Sequence, residues 1–207
     1  MSLQPFDFPP LAFVDIETTG GHAERDRITE VAVVTVQEGQ VYEWSILINP
    51  GVSIPRNIQT LTGINNEMVA SQPYFDEVAK EIFDQLEGKI FVAHNARFDY
   101  GFLKASFKRS GIDFRARVLC TVKLSRHLFP GQQRHNLDTL IATHSLQVSS
   151  RHRALGDAQL IEQFWRVCME QFGVAKLQEA IKILLAHPSL PPRISEDLVN
   201  SIPESPG

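Results

Sequence analysis

The chain has 207 residues, of which 43% are apolar, and it carries a formal net charge of −4. This length and apolar share are enough to bury the core of a single domain. The negative charge argues against a protein that holds nucleic acid by bulk electrostatic attraction, although it is compatible with a local basic face.

Cysteine content and hydropathy restrict the compartment. The two cysteines, Cys120 and Cys168, are far apart and match neither a zinc site nor a disulfide framework, so we expect buried thiols in a reducing compartment. The sequence has no long apolar run and no N-terminus of the signal-peptide type. These features predict a cytoplasmic protein without a membrane partner.

The first informative stretch combines a short strand with two acids. An apolar run from Leu11 to Val14 leads into Asp15 and Glu17, and a Thr-Thr-Gly-Gly segment then turns the chain. Because side chains alternate along a strand, both carboxylates lie on one face. Like charges at the end of a buried strand are unfavourable unless a cation or a proton joins them. The alternative is an edge strand with a solvated acidic tip, and the rest of the chain has to decide between the two.

The elements that follow are predicted from apolar periodicity and from turn residues. They are a hairpin of Ile28–Val36 and Val41–Ile48, a loop over 49–57, a turn over 61–64, a helix over Phe75–Leu86 and a buried strand over 89–93.

A third acid follows at the next strand-to-helix junction. Asn95, after His94, is predicted to cap a helix that runs to Ser110. Asp99 then falls in the first turn of that helix, near the carboxyl end of a strand, where sites gather in open α/β sheets. A first-turn aspartate also interacts favourably with the helix dipole, so Asp99 by itself does not establish a ligand.

Basic residues dominate the segment from 104 to 126, in which Asp113 is the single acid. They are Lys104, Lys108, Arg109, Arg115, Arg117, Lys123 and Arg126. Such a run is usually a solvated face, but in an acidic chain it also suits a strip that faces phosphates. Two short helices, 121–129 and 137–144, are predicted around Pro130 and Gly131.

The last acid opens a long helical pattern. Asp157 lies at the margin of the apolar stripe of a helix that runs to about Phe172, and Gly156 beside it permits a close approach. His152 is five residues from Asp157, a spacing that does not share a helix face, so we place it on the preceding loop. A histidine between two arginines could also be a surface residue. A final amphipathic helix is predicted over 174–187.

Four carboxylates from separate elements can therefore face one end of a sheet. They are Asp15, Glu17, Asp99 and Asp157. Without a cysteine or histidine cluster, such a set suits a hard ion such as Mg²⁺ or Mn²⁺. Two such ions support in-line attack at a phosphodiester, and a nearby histidine can take a proton from the attacking water.

Three segments carry a family resemblance. FVDIETTG, HNARFDYGFL and HRALGD resemble the three motifs of the DnaQ-like 3′–5′ exonucleases of the DEDDh group, which includes the proofreading ε subunit of bacterial DNA polymerase III. The match spans roughly residues 11 to 172. It implies an α/β domain over residues 9–187 with an RNase H-like mixed β-sheet flanked by helices.

The resemblance also implies residue roles. Asp15 would bridge two ions of Mg²⁺ or Mn²⁺, Glu17 and Asp157 would complete the first site, and Asp99 would support the second through water. His152 would be the general base. In many relatives a histidine stands where this chain has Thr62. The pocket for the terminal nucleotide would be lined by Ile16, Thr18, Leu61, Thr62, His94, Asn95 and Phe98.

The implied activity is metal-dependent removal of nucleoside monophosphates from DNA 3′ ends, in proofreading or repair. Two alternatives remain: an exoribonuclease of the same fold, and a non-catalytic docking module of a polymerase or repair complex. Retention of all four acids counts against the docking module. Residues 188–207 are predicted to be a linker or tail, similar to the lead-in of UvrC-type GIY-YIG nuclease domains, so a fused domain of that kind is a further expected partner.

Overall fold

The computed structural model describes residues 10–37 and 40–186, with Gln37 described by its backbone alone. The strands are β1 (Leu11–Thr18), β2 (Ile28–Gln37), β3 (Gln40–Leu47), β4 (Ile90–Ala93) and β5 (Arg117–Cys120). The helices are α1 (Arg56–Thr62), α2 (Asn66–Ala70), α3 (Phe75–Leu86), α4 (Arg97–Arg109), α5 (Thr121–Leu128), α6 (Leu137–His144) and α7 (Ala154–Ala186).

The five strands form one mixed sheet in the order β3-β2-β1-β4-β5. Strands β1, β2 and β3 pair antiparallel as the predicted hairpin requires, whereas β4 and β5 run parallel to β1. Because β1 is central and parallel to β4, the carboxyl ends of both strands lie at the same end of the sheet. The predicted mixed sheet flanked by helices is confirmed.

Each face of the sheet has its own apolar core. The odd residues of β1, Leu11 and Phe13, pack with α5, α6 and α7. The even residues Ala12, Val14 and Ile16 pack with α3 and α4. This alternation places Asp15 and Glu17 on the α7 side, so the helix that carries Asp157 covers the face from which these two acids project.

Some elements were not predicted from the sequence. Helix α1, 7 residues long, overlaps the segments predicted as a loop and a turn, and α2, 5 residues long, lies between that turn and α3, where no element was predicted. Strand β5 lies inside the basic run. It is an edge strand of the sheet, so Arg117 can be exposed while Leu119 is buried. The long terminal helix is interrupted at Gly173, whose φ of 72° is not helical, close to the predicted boundary at Phe172.

The prediction that Asn95 caps the fourth helix was wrong. Ala96 occupies the cap position, no side chain accepts a hydrogen bond there, and the helix ends at Arg109. Asn95 instead adopts a left-handed conformation with φ of 60°, and its backbone carbonyl accepts from the Phe98 N–H at 2.9 Å.

No helix within residues 10–37 and 40–186 is both long and apolar enough to cross a membrane. Both cysteines are free thiols. Cys168 is buried as expected, and burial raises its pKa to about 12, whereas Cys120 at the end of β5 is only partly buried. The predicted linker at 188–207, with its resemblance to a lead-in for a GIY-YIG domain, lies outside the described residues, as does His187.

Candidate active site

Three of the four acids meet at the end of β1. One carboxylate oxygen each from Asp15, Glu17 and Asp157 lie within 4.8 Å of one another. Strand alternation supplies the first two, and the first turn of α7 supplies the third. Like charges this close repel strongly away from bulk water, so the cluster has to bind protons or cations.

Asp99 approaches the same cluster from the opposite side of β1. Asp99 lies in the first turn of α4 and is 3% exposed, and burial raises its pKa to about 7. Hydrogen bonds from backbone groups of Asp99 and Ile16 lower that pKa, and the charge of Asp157 raises it. Asp99 lies outside the three-residue group, but it is the strongest charged contributor to the raised pKa of Asp15.

The pKa values of the central pair show how unfavourable the clustered charges are. Burial, followed by the charges of Asp99, Asp157 and Glu17, raises the pKa of Asp15 well above its ordinary value. Burial and neighbouring acids likewise raise the pKa of Glu17 to about 8. Perturbation of this kind in several adjacent acids is typical of functional sites.

A guanidinium on the loop before α7 contacts Asp157. Arg151 Nη1 pairs with Asp157 Oδ2, and its Nε and Nη2 donate to Asp138 Oδ1 at 3.1 and 2.8 Å. The other oxygen, Asp157 Oδ1, is buried and has no hydrogen-bond partner among the described residues. Burial raises the pKa of Asp157, while Arg151 lowers it.

The donor set fits a hard divalent cation. Asp15, Glu17 and Asp157 offer only carboxylate oxygens, and Asp157 Oδ1, which has no hydrogen-bond partner among the described residues, is available as a ligand. Mg²⁺, Mn²⁺ and Ca²⁺ prefer such oxygen ligands, whereas zinc prefers histidine and cysteine. The acids therefore form a candidate metal site, and the donor set alone does not select among these hard ions.

His152 lies on the loop that leads into α7, as predicted. The residue is half-buried and has a φ of 57°, a backbone conformation that non-glycine residues adopt infrequently. Gly156 allows this loop to fold against the helix, because a Cβ there would overlap the Ser150 carbonyl oxygen. The close approach expected at Gly156 is thus made by the loop that carries the histidine.

Glu30 and Arg153 are site residues that the sequence analysis missed. Arg153 donates to both oxygens of Glu30, from Nε at 3.0 Å and from Nη2 at 2.7 Å. Glu30 also accepts from the Ala154 N–H at 2.9 Å, which satisfies a backbone donor at the start of α7. The available signal was a glutamate within the apolar run of β2, where a buried charge requires a partner.

Among the residues predicted to bind the terminal nucleotide, His94 has the most distinctive environment. Its Nδ1 lies 3.0 Å from the Thr121 hydroxyl, which also lies 3.3 Å from the Ala93 carbonyl. Nε2 is buried and has no hydrogen-bond partner of good geometry among the described residues, and the tautomer decides which ring nitrogen donates. Burial lowers the pKa of His94 to about 4, so the ring is neutral.

The other predicted pocket residues differ in how much they expose. Leu61 is 54% exposed, whereas Thr62 is buried, donates to the Ile58 carbonyl at 3.0 Å and accepts from the Ile64 N–H at 3.1 Å. Thr62 is therefore occupied in stabilising its own helix end. The remaining members are the buried Ile16 and Thr18, the exposed Asn95, and Phe98, whose ring packs 4.8 Å from that of Phe102.

Comparison with known proteins matches this architecture. The family model RNase_T, described as Exonuclease, matches residues 12–163. The chain belongs to this exonuclease family. All four acids and His152 fall within the matched residues, as do Glu30 and Arg153.

Two bacterial relatives are similar over most of this chain. The 3′-5′ exonuclease DinG of Bacillus subtilis strain 168 is 42% identical over 150 residues, covering 71% of this chain and 16% of the relative. The protein of the same name from Staphylococcus saprophyticus is 36% identical over 166 residues, covering 79% of this chain and 18% of the relative. The chain thus spans less than a fifth of the length of either relative.

Solved structures confirm the predicted exonuclease fold. Exonuclease X in complex with 5′ overhanging duplex DNA superposes with a TM-score of 0.67 at 27% identity, covering 83% of this chain and 99% of that one. Escherichia coli exonuclease I in complex with a dA16 oligonucleotide gives a TM-score of 0.71 at 16% identity, covering 82% of this chain and 42% of that one.

Proposed function

We propose that this chain is a 3′–5′ exonuclease that hydrolyses the terminal phosphodiester of a DNA strand and releases nucleoside monophosphates. The observation that carries the proposal is the meeting of Asp15, Glu17 and Asp157 within 4.8 Å, beside the loop that holds His152. Membership of the exonuclease family and relatives named 3′-5′ exonuclease support the direction of cleavage.

The metal chemistry follows from the acidic cluster. Asp15, Glu17 and Asp157 would hold one of two ions of Mg²⁺ or Mn²⁺, and Asp15 with Asp99 would hold the other. Such ions would supply activation of the attacking water and stabilisation of charge on the leaving oxygen.

This chain's own residues would then move the proton and hold the substrate. His152, as general base, would accept the proton of the attacking water. The terminal nucleotide would contact the residues that the family resemblance implies: Ile16, Thr18, Leu61, Thr62, His94, Asn95 and Phe98. Nε2 of the neutral His94 ring would form a hydrogen bond with a polar group of the terminal nucleotide.

The deciding experiment is digestion of end-labelled single-stranded DNA, duplex DNA and RNA in parallel, with Mg²⁺ and with Mn²⁺. We expect DNA to shorten from its 3′ end, with no product when the divalent ions are chelated. Faster digestion of RNA would replace the DNA assignment by the exoribonuclease alternative. Equal activity of Asp15→Asn and wild type would refute the site itself.

A pH profile tests the role of His152. At saturating metal, turnover of the wild type should decline on acidification, because a general base has to be deprotonated to accept the proton of water. His152→Ala should remove that limb and lower kcat by about 10²- to 10⁴-fold while leaving metal affinity unchanged. The matched control is His127→Ala, an exposed histidine on α5, which should keep the wild-type profile.

A further inference from the structure

A second polar pocket lies on the other side of the sheet. Its volume is about 280 Å³, and it is enclosed by the start of β2, the segment after β3, the start of α3 and the end of α4. Its apolar lining includes Ile28 and Ile48, which belong to the core shared with α3 and α4. Asp15 and Glu17 project towards α7, so the pocket does not share a face with the acid cluster.

Two arginines give this pocket its character. Arg27 Nη1 donates to the carbonyls of Arg25 and Asp26 at 2.8 and 3.0 Å. Arg109 donates to the Ala23 carbonyl at 3.1 Å and to the Ser106 hydroxyl at 2.9 Å. Within residues 10–37 and 40–186, neither arginine forms an ion pair with a carboxylate.

The two guanidinium groups lie close enough to repel each other. Burial and then the charge of Arg27 lower the pKa of Arg109, while Glu24 raises it. Backbone carbonyls and a serine hydroxyl hold both cations in place without neutralising them. An anion between them would relieve that repulsion, and the planar guanidinium fork matches a phosphate group.

The rest of the lining suits the backbone of a nucleic-acid strand. Ser106 adds a hydroxyl donor, whereas the Ser110 hydroxyl donates to the Ser106 carbonyl at 3.2 Å. Tyr74, 51% exposed, offers a ring against which a sugar or base can pack. Asp76 is the acid in this lining, so cations outnumber anions there. Arg109 belongs to the basic run over 104–126, but in the structure it lines this pocket, whereas Arg115 pairs with Asp113.

The position of the pocket relative to the acid cluster sets a length requirement. Asp99 and Arg109 lie ten residues apart on α4, which corresponds to about 15 Å along the helix. A strand in duplex geometry advances about 3.4 Å per nucleotide, so about four to five nucleotides cover this distance. In that geometry, a strand of about three nucleotides bound at the acid cluster ends short of Arg109.

We propose that this pocket binds a backbone phosphate of the substrate strand about four to five nucleotides upstream of the cleaved end. The inference rests on the proposed exonuclease function, which it extends by a second contact on the same strand. The site would raise affinity for long strands without taking part in the bond cleavage.

The test compares strand lengths in equilibrium binding. Fluorescence anisotropy of labelled single strands of about 3 and about 20 nucleotides is measured with Ca²⁺ in place of Mg²⁺ to slow hydrolysis. For Arg27→Gln/Arg109→Gln we expect Kd for the long strand to rise about tenfold and its salt dependence to weaken by one to two phosphates. Kd for the short strand should change less than about twofold, because it does not reach the pocket.

The controls separate charge, fold and ligand source. Lys176→Gln/Lys182→Gln removes two exposed charges from α7 and should leave both Kd values unchanged. Arg27→Lys/Arg109→Lys keeps the charge and should restore most of the long-strand affinity. If the double glutamine variant has a lower melting temperature than wild type, the two strand lengths are compared in this lysine variant and in Arg27→Gln alone. Binding of dAMP that depends on the two arginines would assign the pocket to a mononucleotide and overturn the strand assignment.

The remaining outcomes distinguish failure of the pocket assignment from failure of the exonuclease assignment. An equal loss at both lengths, or no loss for the long strand, would refute the pocket while leaving the exonuclease assignment intact. Wild-type protein that binds neither length would refute the proposed function, and the pocket assignment with it.

Discussion

Two glutamates on neighbouring strands have different roles although their side chains are the same. Glu17 on β1 and Glu30 on β2 are directly opposite each other in the strand register and share a face of the sheet. Glu30 is 3% exposed and receives two hydrogen bonds from Arg153 and one from the Ala154 N–H. Glu17 faces other acids, which with burial raise its pKa to about 8.

The difference lies in what satisfies each charge. Like charges directly opposite on adjacent strands are destabilising, so this pair is tolerated only because Arg153 neutralises one member. The neutralised glutamate anchors the start of α7 and thereby positions His152 and Asp157. The other glutamate faces acids, so without metal it keeps a proton up to about pH 8, and a cation can replace that proton. A structural acid and a candidate ligand are thus built side by side.

Replacing each glutamate by glutamine should give the largest difference between them, in turnover and in the free energy of unfolding. Glu17→Gln should lower exonuclease turnover at least about a hundredfold, yet raise the metal-free free energy of unfolding at pH 8 by about 1–3 kcal/mol, because it removes an unpaired buried charge. Glu30→Gln should lower that free energy by about 2–4 kcal/mol, because it breaks a buried ion pair. Denaturant unfolding and strand digestion measure the two quantities.

A charge-matched surface substitution serves as the reference for these values. Asp113→Asn breaks the exposed Asp113–Arg115 pair and should change neither unfolding nor turnover measurably, because exposed pairs contribute little. The comparison fails if Glu17→Gln destabilises the protein as much as Glu30→Gln does.

The pH dependence of stability should reveal the acid cluster directly. The folded-state pKa of Glu17 is about 8 against an ordinary 4.5, and that of Asp99 about 7 against 3.8. Between the ordinary and the folded-state pKa values, the folded chain binds more protons than the unfolded one. The metal-free free energy of unfolding is therefore greatest at the low end of this pH range and falls as pH rises to about 8, by an amount on the order of a few kcal/mol.

Divalent metal should remove much of that slope, because bound cations replace the protons. Thermal melts between about pH 5 and 9, with EDTA or with Mg²⁺ or Mn²⁺, provide the measurement. Metal should raise the melting temperature of wild type but not of Asp15→Ala/Asp157→Ala. An equal metal response in both proteins would contradict the assignment of these acids as ligands.

A smaller loss of stability and turnover is expected from a substitution where the loop that carries His152 meets α7. Gly156→Ala should cost about 1–3 kcal/mol of stability, because the new methyl group would push the Ser150 carbonyl away. Turnover should fall with it, since the displaced loop carries His152. Gly101→Ala is the matched control in α4, where a Cβ meets nothing within 4 Å, and it should be neutral or slightly stabilising.

The sequence by itself determined much of this protein. Strand alternation placed Asp15 and Glu17 on one face, periodicity gave α3 its bounds, and the five-residue spacing kept His152 off the helix of Asp157. These inferences succeed because they depend on local geometry, which the chain specifies over a few residues.

Only the tertiary structure decided which charges are paired. The partners Glu30 and Arg153 are separated by 123 residues, and Arg109 reaches the Ala23 carbonyl across 86. Local pattern cannot encode such contacts, and it also missed β5 and the left-handed turn at Asn95, which follow from neighbouring strands and loops. The physical reason is that pairing depends on distances that exist only after the sheet and its helices have packed.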